Sequence, residues 1–144
     1  GQRERALYLS DATPEGTVYV TTVGTDGAVP LGPVRVGQRF YFTVGSQASA
    51  GALWSTDGTP AGTRAHPEWL AGPTVYQLAA FGDQLVVFAT TEATESGIWI
   101  TDGSVASTRR LASGGWLGPS VAGKMFFAGL DEHGFEPWVI EDLP

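Results

Sequence analysis

Three aspartates stand in near-identical surroundings. Asp11 lies in Ser10-Asp11-Ala12-Thr13-Pro14-Glu15-Gly16-Thr17, Asp57 in Thr56-Asp57-Gly58-Thr59-Pro60-Ala61-Gly62-Thr63, and Asp102 in Thr101-Asp102-Gly103-Ser104-Val105-Ala106-Ser107-Thr108. A carboxylate among hydroxyls can offer oxygens to Ca²⁺, which takes about 6–8 of them. It can instead cap a turn, accepting the N–H two residues on while glycine occupies the left-handed position. One carboxylate per turn is thin ligation for a cation, so Asp11, Asp57 and Asp102 are read as structural turn caps. The densest polar cluster is Asp131-Glu132-His133-Gly134-Phe135-Glu136. Its carboxylates make Asp131, Glu132 and Glu136 weak metal candidates, and with His133 an acid/base site of a hydrolase. A solvated acidic loop is the simpler reading. The other histidine, His66, sits beside Pro67, and with neither a cysteine nor a Gly-x-Ser-x-Gly elbow it gives a nucleophilic triad no support. No metal site and no cofactor are expected, and no glycine-rich stretch has phosphate-loop spacing.

The five tryptophans fall into two groups. Trp54, Trp99 and Trp138, with Tyr8 at the matching place, occupy one position of a repeated strand and are expected in the core between units. Trp69 and Trp116 lie outside that register. If exposed, they could stack on sugar rings or anchor a protein partner, and packing under a long loop is the favoured reading of both.

What must position these side chains is a repeat. The aspartate positions Asp11, Asp57, Asp102 and the decayed Glu141 are spaced 46, 45 and 39 residues apart. A second pattern recurs within each period: Gly37-Gln38-Arg39-Phe40-Tyr41-Phe42, Gly82-Asp83-Gln84-Leu85-Val86-Val87-Phe88 and Gly123-Lys124-Met125-Phe126-Phe127. A Gly-Pro pair precedes each, at Gly32-Pro33, Gly72-Pro73 and Gly118-Pro119. Each unit reads as four short strands, A to D, with the tryptophan on C and the Asp turn between C and D. In one unit these fall near Val34 to Val36, Phe40 to Val44, Ala52 to Thr56 and from Thr63 onward. In the next they fall near Val75 to Leu78, Leu85 to Thr90, Gly97 to Thr101 and Thr108 to Ala112. No helical periodicity runs through the chain, and the continuous apolar B strands predict sheets covered on both faces.

The expected fold is all-β: a propeller-like stack of four-stranded antiparallel blades in a single domain, residues 1–144. A partial unit (6–24) is followed by units 32–70 and 72–113 and a partial terminal unit (118–144). About thirteen strands leave the stack unclosed, which predicts an open arc or part of a larger ring.

The motif Leu53-Trp54-Ser55-Thr56-Asp57-Gly58-Thr59-Pro60-Ala61-Gly62-Thr63 resembles the bacterial ELWxxDGT repeat family, with Ala52 in place of the Glu. Gly134-Phe135-Glu136-Pro137-Trp138 resembles its Glu-Pro-Trp variant. Ala12 replaces the Gly after Asp11, Ser107 replaces the Gly before Thr108, and the last copy lacks Asp-Gly-Thr. The resemblance covers nearly the whole chain from Ala6. It implies a segment of a large secreted or surface-associated bacterial protein with a propeller-like fold, and supplies no catalytic residues. The decayed last copy leads to the expectation that the C-terminus lies at Pro144.

Composition narrows the partners. A net charge of -7, from 8 basic and 15 acidic residues, disfavours nucleic acid, whose binding rests on Lys and Arg. No apolar run approaches the roughly 20 residues of a membrane helix, so direct membrane insertion is not expected. There is no cysteine for disulfides, and no asparagine for N-glycosylation. The leading expectation is a non-enzymatic structural or protein-interaction module that associates with a protein partner or with itself. The alternative is a carbohydrate-binding adhesin using Trp69 and Trp116, and a hydrolase built on the acidic loop comes last.

Overall fold

The computed structural model describes residues 4–24, 29–46, 49–69, 74–91 and 95–141. Gly72-Pro73 lies outside these. Among the described residues there is no helix, and strands account for 69% of the structure, so the chain is all-β. Twelve strands follow one another: β1 (Arg5–Leu9), β2 (Val18–Gly24), β3 (Val29–Val36), β4 (Arg39–Ser46), β5 (Ser49–Thr56), β6 (Arg64–Ala65), β7 (Thr74–Phe81), β8 (Gln84–Thr90), β9 (Ser96–Thr101), β10 (Arg109–Val121), β11 (Lys124–Asp131) and β12 (Gly134–Glu141). Two-residue links join four hairpins, as the closing pairs Val36↔Arg39, Phe81↔Gln84, Val121↔Lys124 and Asp131↔Gly134 show. Such tight links fix register, and register fixes which side chains share a face.

Strands β1 and β2 form a sheet of their own. The others form one antiparallel sheet in the order β12-β11-β10-β9-β8-β7-β5-β4-β3, with β6 beside β5. This sheet curls strongly into a half-barrel. The repeat is visible in its pairing: Phe42 faces Trp54, Val87 faces Trp99 and Phe127 faces Trp138. The middle copy is covered on both sides. Leu85 and Val87 join one apolar cluster with Tyr41, Leu53, Trp69 and Val75. Val86, on the opposite face of β8, joins another with Ile98, Ile100, Met125 and Phe127. Both faces of β8 are thus buried, which is why Leu85-Val86-Val87 reads as an unbroken apolar run, whereas Phe126 of β11 is exposed between the buried Met125 and Phe127.

Three expectations are corrected by the pairing. Units do not stand as separate four-stranded sheets, because the first part of β10 pairs with β9 and the rest with β11. One strand serves as the D strand of one unit and the A strand of the next, giving twelve strands where about thirteen were counted. The D strand after Asp57 shrinks to Arg64–Ala65, since the chain turns at Pro67 to bring Trp69 inward. The pairs Gly32-Pro33 and Gly118-Pro119 lie inside β3 and β10, at register shifts between Leu31 and Val34 and between Leu117 and Ser120. Proline lacks a donor for the ladder, and an irregularity is where a sheet tolerates it. The aromatic position also departs from expectation at the ends. Trp54 and Trp99 are half-buried, whereas Tyr8 and Trp138 are exposed.

Candidate functional site

The aspartate turns are closed by local hydrogen bonds in nearly the same way each time. Thr13 donates both its backbone N–H (2.9 Å) and its hydroxyl (2.7 Å) to Asp11 Oδ1, and Gly16 N–H donates to Thr13 Oγ1 at 2.9 Å. Thr59 and Gly62 do the same around Asp57, at 2.9, 2.7 and 2.9 Å. A Cβ on Gly62 would lie 2.0 Å from the Asp57 carboxylate, which explains the glycine. Where Ser107 replaces it, the serine hydroxyl itself donates to Asp102 Oδ1 at 2.6 Å. The donors favour the charged carboxylate, so all three acids titrate below their ordinary range: Thr13 and Thr59 act at Asp11 and Asp57, Ser107 and Ser104 at Asp102. Each carboxylate is exposed and engaged within its own turn. Ala12 holds φ +74 where the other turns have Gly58 and Gly103, a strained conformation for a side chain with a Cβ.

The turn network also reaches between units. Tyr41 Oη donates to the carbonyl of Asp102 at 3.4 Å, and Trp69 Nε1 donates to Thr108 Oγ1 at 2.9 Å. Trp69 is 1% exposed. It presents no face to a ligand, so Trp69 is a packing residue and drops out as a stacking candidate beside Trp116.

Trp116 has the opposite environment. It is 57% exposed and stacks on Phe135, itself 58% exposed, with ring centroids 5.7 Å apart. Gly114 and Gly115 create the irregularity in β10 that places it there, both with positive φ. The sequence does not join Phe135 to Trp116, because its cross-strand position opposite Leu130 is set by register.

The acidic loop forms the β11–β12 hairpin. Asp131 Oδ1 accepts the His133 N–H at 2.7 Å, and Glu132 lies 3.5 Å from the His133 ring. Glu136 is carried away on the strand, where it pairs across to Gly129. Among the described residues, no group of three His, Asp or Glu side chains converges to hold a metal.

One arrangement was not anticipated. Ser55 Oγ lies 2.8 Å from His66 Nε2, and His66 Nδ1 lies 3.4 Å from Glu68 Oε1. Because the carboxylate can only accept, the ring carries its proton on Nδ1 and Nε2 accepts from the serine hydroxyl. The order of groups matches a hydrolytic relay. Yet Ser55 is 1% exposed, and a nucleophile must meet its substrate; the buried Ser55–His66 pair, with the exposed Glu68 on its outer side, ties β5 to the segment after β6. A signal existed: Ser55 fills the register position held by Ile100 and Val139 elsewhere, and a polar residue in an apolar position needs a partner.

Burial, reinforced by the charge of Arg64 and opposed by Glu68, lowers the His66 pKa, with Arg39 adding a smaller push in the same direction. The unfolded chain therefore takes up the proton more readily than the folded one. Stability contributed by neutral His66 is complete above its ordinary value of 6.5 and is lost as pH falls below it. The urea midpoint of the wild type is expected to drop between about pH 7 and pH 5. In His66→Gln that slope should be shallower, and identical slopes would refute the assignment.

A hollow of about 300 Å³ lies between the β1–β2 sheet and β4, lined by Leu7, Leu9, Val20, Val23, Phe40 and Phe42. Its walls are mostly apolar, with Tyr8, Thr56 and Asp57 also among the lining residues. No helix of the described residues is long and apolar enough to cross a membrane. No protein-family model, curated protein or solved structure matches this chain.

Proposed function

We propose that the chain is a non-enzymatic structural and protein-interaction module. It is a propeller-like β-repeat segment, or an accessory subunit, of a secreted or surface-associated bacterial assembly. The compartment and the bacterial source rest on the resemblance of the Trp54 to Thr63 motif to ELWxxDGT repeats. In this reading β7, β8, β9 and the first half of β10 amount to one blade.

The observation that carries the interaction reading is an uncovered face. Val86 and Ile100 on the middle copy are 0% and 1% exposed, whereas their equivalents Phe126 and Val139 on the last copy are 42% and 44% exposed. Trp116, Leu130 and Phe135 extend the same patch. Contiguous apolar surface of this kind marks a site of association. The isolated chain is expected either to associate or, as a monomer, to bind the dye anilinonaphthalene sulfonate at this face. Light scattering that gives a monomer at every concentration, with no dye binding, would sink the proposal.

The exposed Trp116–Phe135 stack favours a second reading, a carbohydrate-binding module in which the indole packs on a sugar ring. A glycan array that stays blank for the wild type, or binding that survives Trp116→Ala, would remove it.

A further inference from the structure

We infer that residues 64–69 form an acid-released latch, which leaves its seat when His66 gains a proton and so opens the junction between the second and third units. The inference stands apart from the interaction reading above.

The latch is lightly attached. It contains β6, which lies off the path of the main sheet and pairs with β5 at Trp54↔Ala65 and Ser55↔Arg64. One further backbone bond, from the His66 N–H to the Leu53 carbonyl at 2.8 Å, ties it to the same strand. Lifting it away leaves the ladder from β3 to β12 intact. Its two buried side chains are His66 and Trp69, while Arg64, Pro67 and Glu68 face solvent. The Trp69 N–H donates to the His66 carbonyl at 3.2 Å, so one turn of chain carries both. Trp69 is the wedge in the junction: it packs with Tyr41 and Leu53 of the second unit and Val75, Leu85 and Val87 of the third.

The seat of His66 suits a neutral ring. Ser55 Oγ lies 2.8 Å from His66 Nε2 and accepts from Arg39 Nη1 at 3.4 Å. With Nε2 unprotonated, the serine gives its one hydrogen to the ring and takes one from the arginine. With Nε2 protonated, the serine oxygen meets two donors, and its own hydrogen loses the acceptor it had in a buried place. The new charge also lies near Arg39 of β4 and Arg64 of β6, both of which disfavour it. Glu68, 3.4 Å from Nδ1, opposes them but is itself exposed. Tyr41 of β4 stacks on the ring at 6.4 Å and is kept neutral by burial. Its hydroxyl turns to the carbonyl of Asp102, whose carboxylate is engaged by Ser104 and Ser107 of its own turn.

The open latch accepts the proton that the closed one refuses. Burial first, then the charge of Arg64, holds His66 below its ordinary 6.5, so closure is complete above that value and is lost as pH falls. The open population should grow by up to about tenfold per pH unit.

The test is fluorine NMR of the full chain labelled with fluorotryptophan, from about pH 7.5 to about pH 4.5. The Trp69 signal is the one lost in Trp69→Phe, and its shift between water and heavy water reports exposure. It is expected to be insensitive to solvent at neutral pH, with a second, solvent-sensitive signal growing in between about pH 6 and pH 5. Trp138, stacked on Phe127 of the last unit, should keep its signal throughout. In His66→Gln, whose amide accepts from Ser55 without titrating, Trp69 should stay closed. In Glu68→Gln the opening should move to lower pH, because the carboxylate that favours the proton is gone. A Trp69 signal that stays closed in the wild type, or opens alike in His66→Gln, overturns the inference. So does a Trp138 signal that changes together with that of Trp69, which is unfolding of the whole chain. Circular dichroism checks that each variant folds. Should His66→Gln not fold, Glu68→Gln decides, and an unchanged opening pH overturns the latch.

Discussion

Trp69→Ala is expected to destabilise the protein by about 3–5 kcal/mol, measured as a shift in the urea unfolding midpoint. The indole is wholly buried in the cluster shared by Tyr41, Leu53, Val75 and Val87, so truncation leaves a cavity between two units. It also removes the donor to Thr108 Oγ1, one of the bonds that tie the second unit to the third aspartate turn. Domain stabilities are typically about 5–15 kcal/mol, so the loss is a large fraction of the total. Trp69→Phe keeps much of the apolar volume and forfeits the hydrogen bond, and should fall about 1–2 kcal/mol below wild type. A loss under about 1 kcal/mol for the alanine variant would mean that the side chain is not in the core.

The second large effect lies in the backbone of β10. Gly115 has φ +105, and a Cβ there would lie 1.7 Å from the carbonyl oxygen of Ala128 on the neighbouring strand. Backbone has nowhere to retreat without breaking the β10–β11 ladder. Gly115→Ala is therefore expected to cost about 3 kcal/mol or more, with a matching fall in melting temperature. Gly114→Ala is the control. Its φ of +59 lies in the left-handed well, and its nearest neighbour is the Leu130 side chain at 3.1 Å. About 1–2 kcal/mol is expected there. Equal effects at the two glycines would show that the close approach to Ala128 is not the controlling contact.

The parts of this fold legible in the sequence are the local ones. Asp57, Thr59 and Gly62 interact across five residues, so their spacing alone specifies the turn. The unbroken run Leu85-Val86-Val87 announced a strand covered on both faces, and both clusters now account for it. What escaped depends on partners far along the chain. Trp69 and Trp116 look alike in composition, yet one reaches Thr108 across 39 residues and the other stacks on a phenylalanine of β12. No local pattern distinguishes them. The merging of two expected strands into β10 likewise depends on Gly114 and Gly115, whose positive φ values carry one irregular strand past the register shift between Ser113 and Trp116. For the Ser55–His66–Glu68 trio the repeat register marks Ser55 as out of place, but its partner emerges only once β5 and the segment after β6 lie side by side.

The shared strand has a consequence for how the protein comes apart. Repeat proteins usually behave as a row of units, each contacting its neighbours and able to fray one at a time. Here β10 is bonded to β9 through its first residues and to β11 through the rest. Pulling the last unit away strips the strand that closes the unit before it, so β7 to β12 open together as one cooperative block. Strands β1 and β2 share no ladder with that block. Among the described residues no strand pairing ties them to it, and they are the element expected to open first while the remainder stays folded.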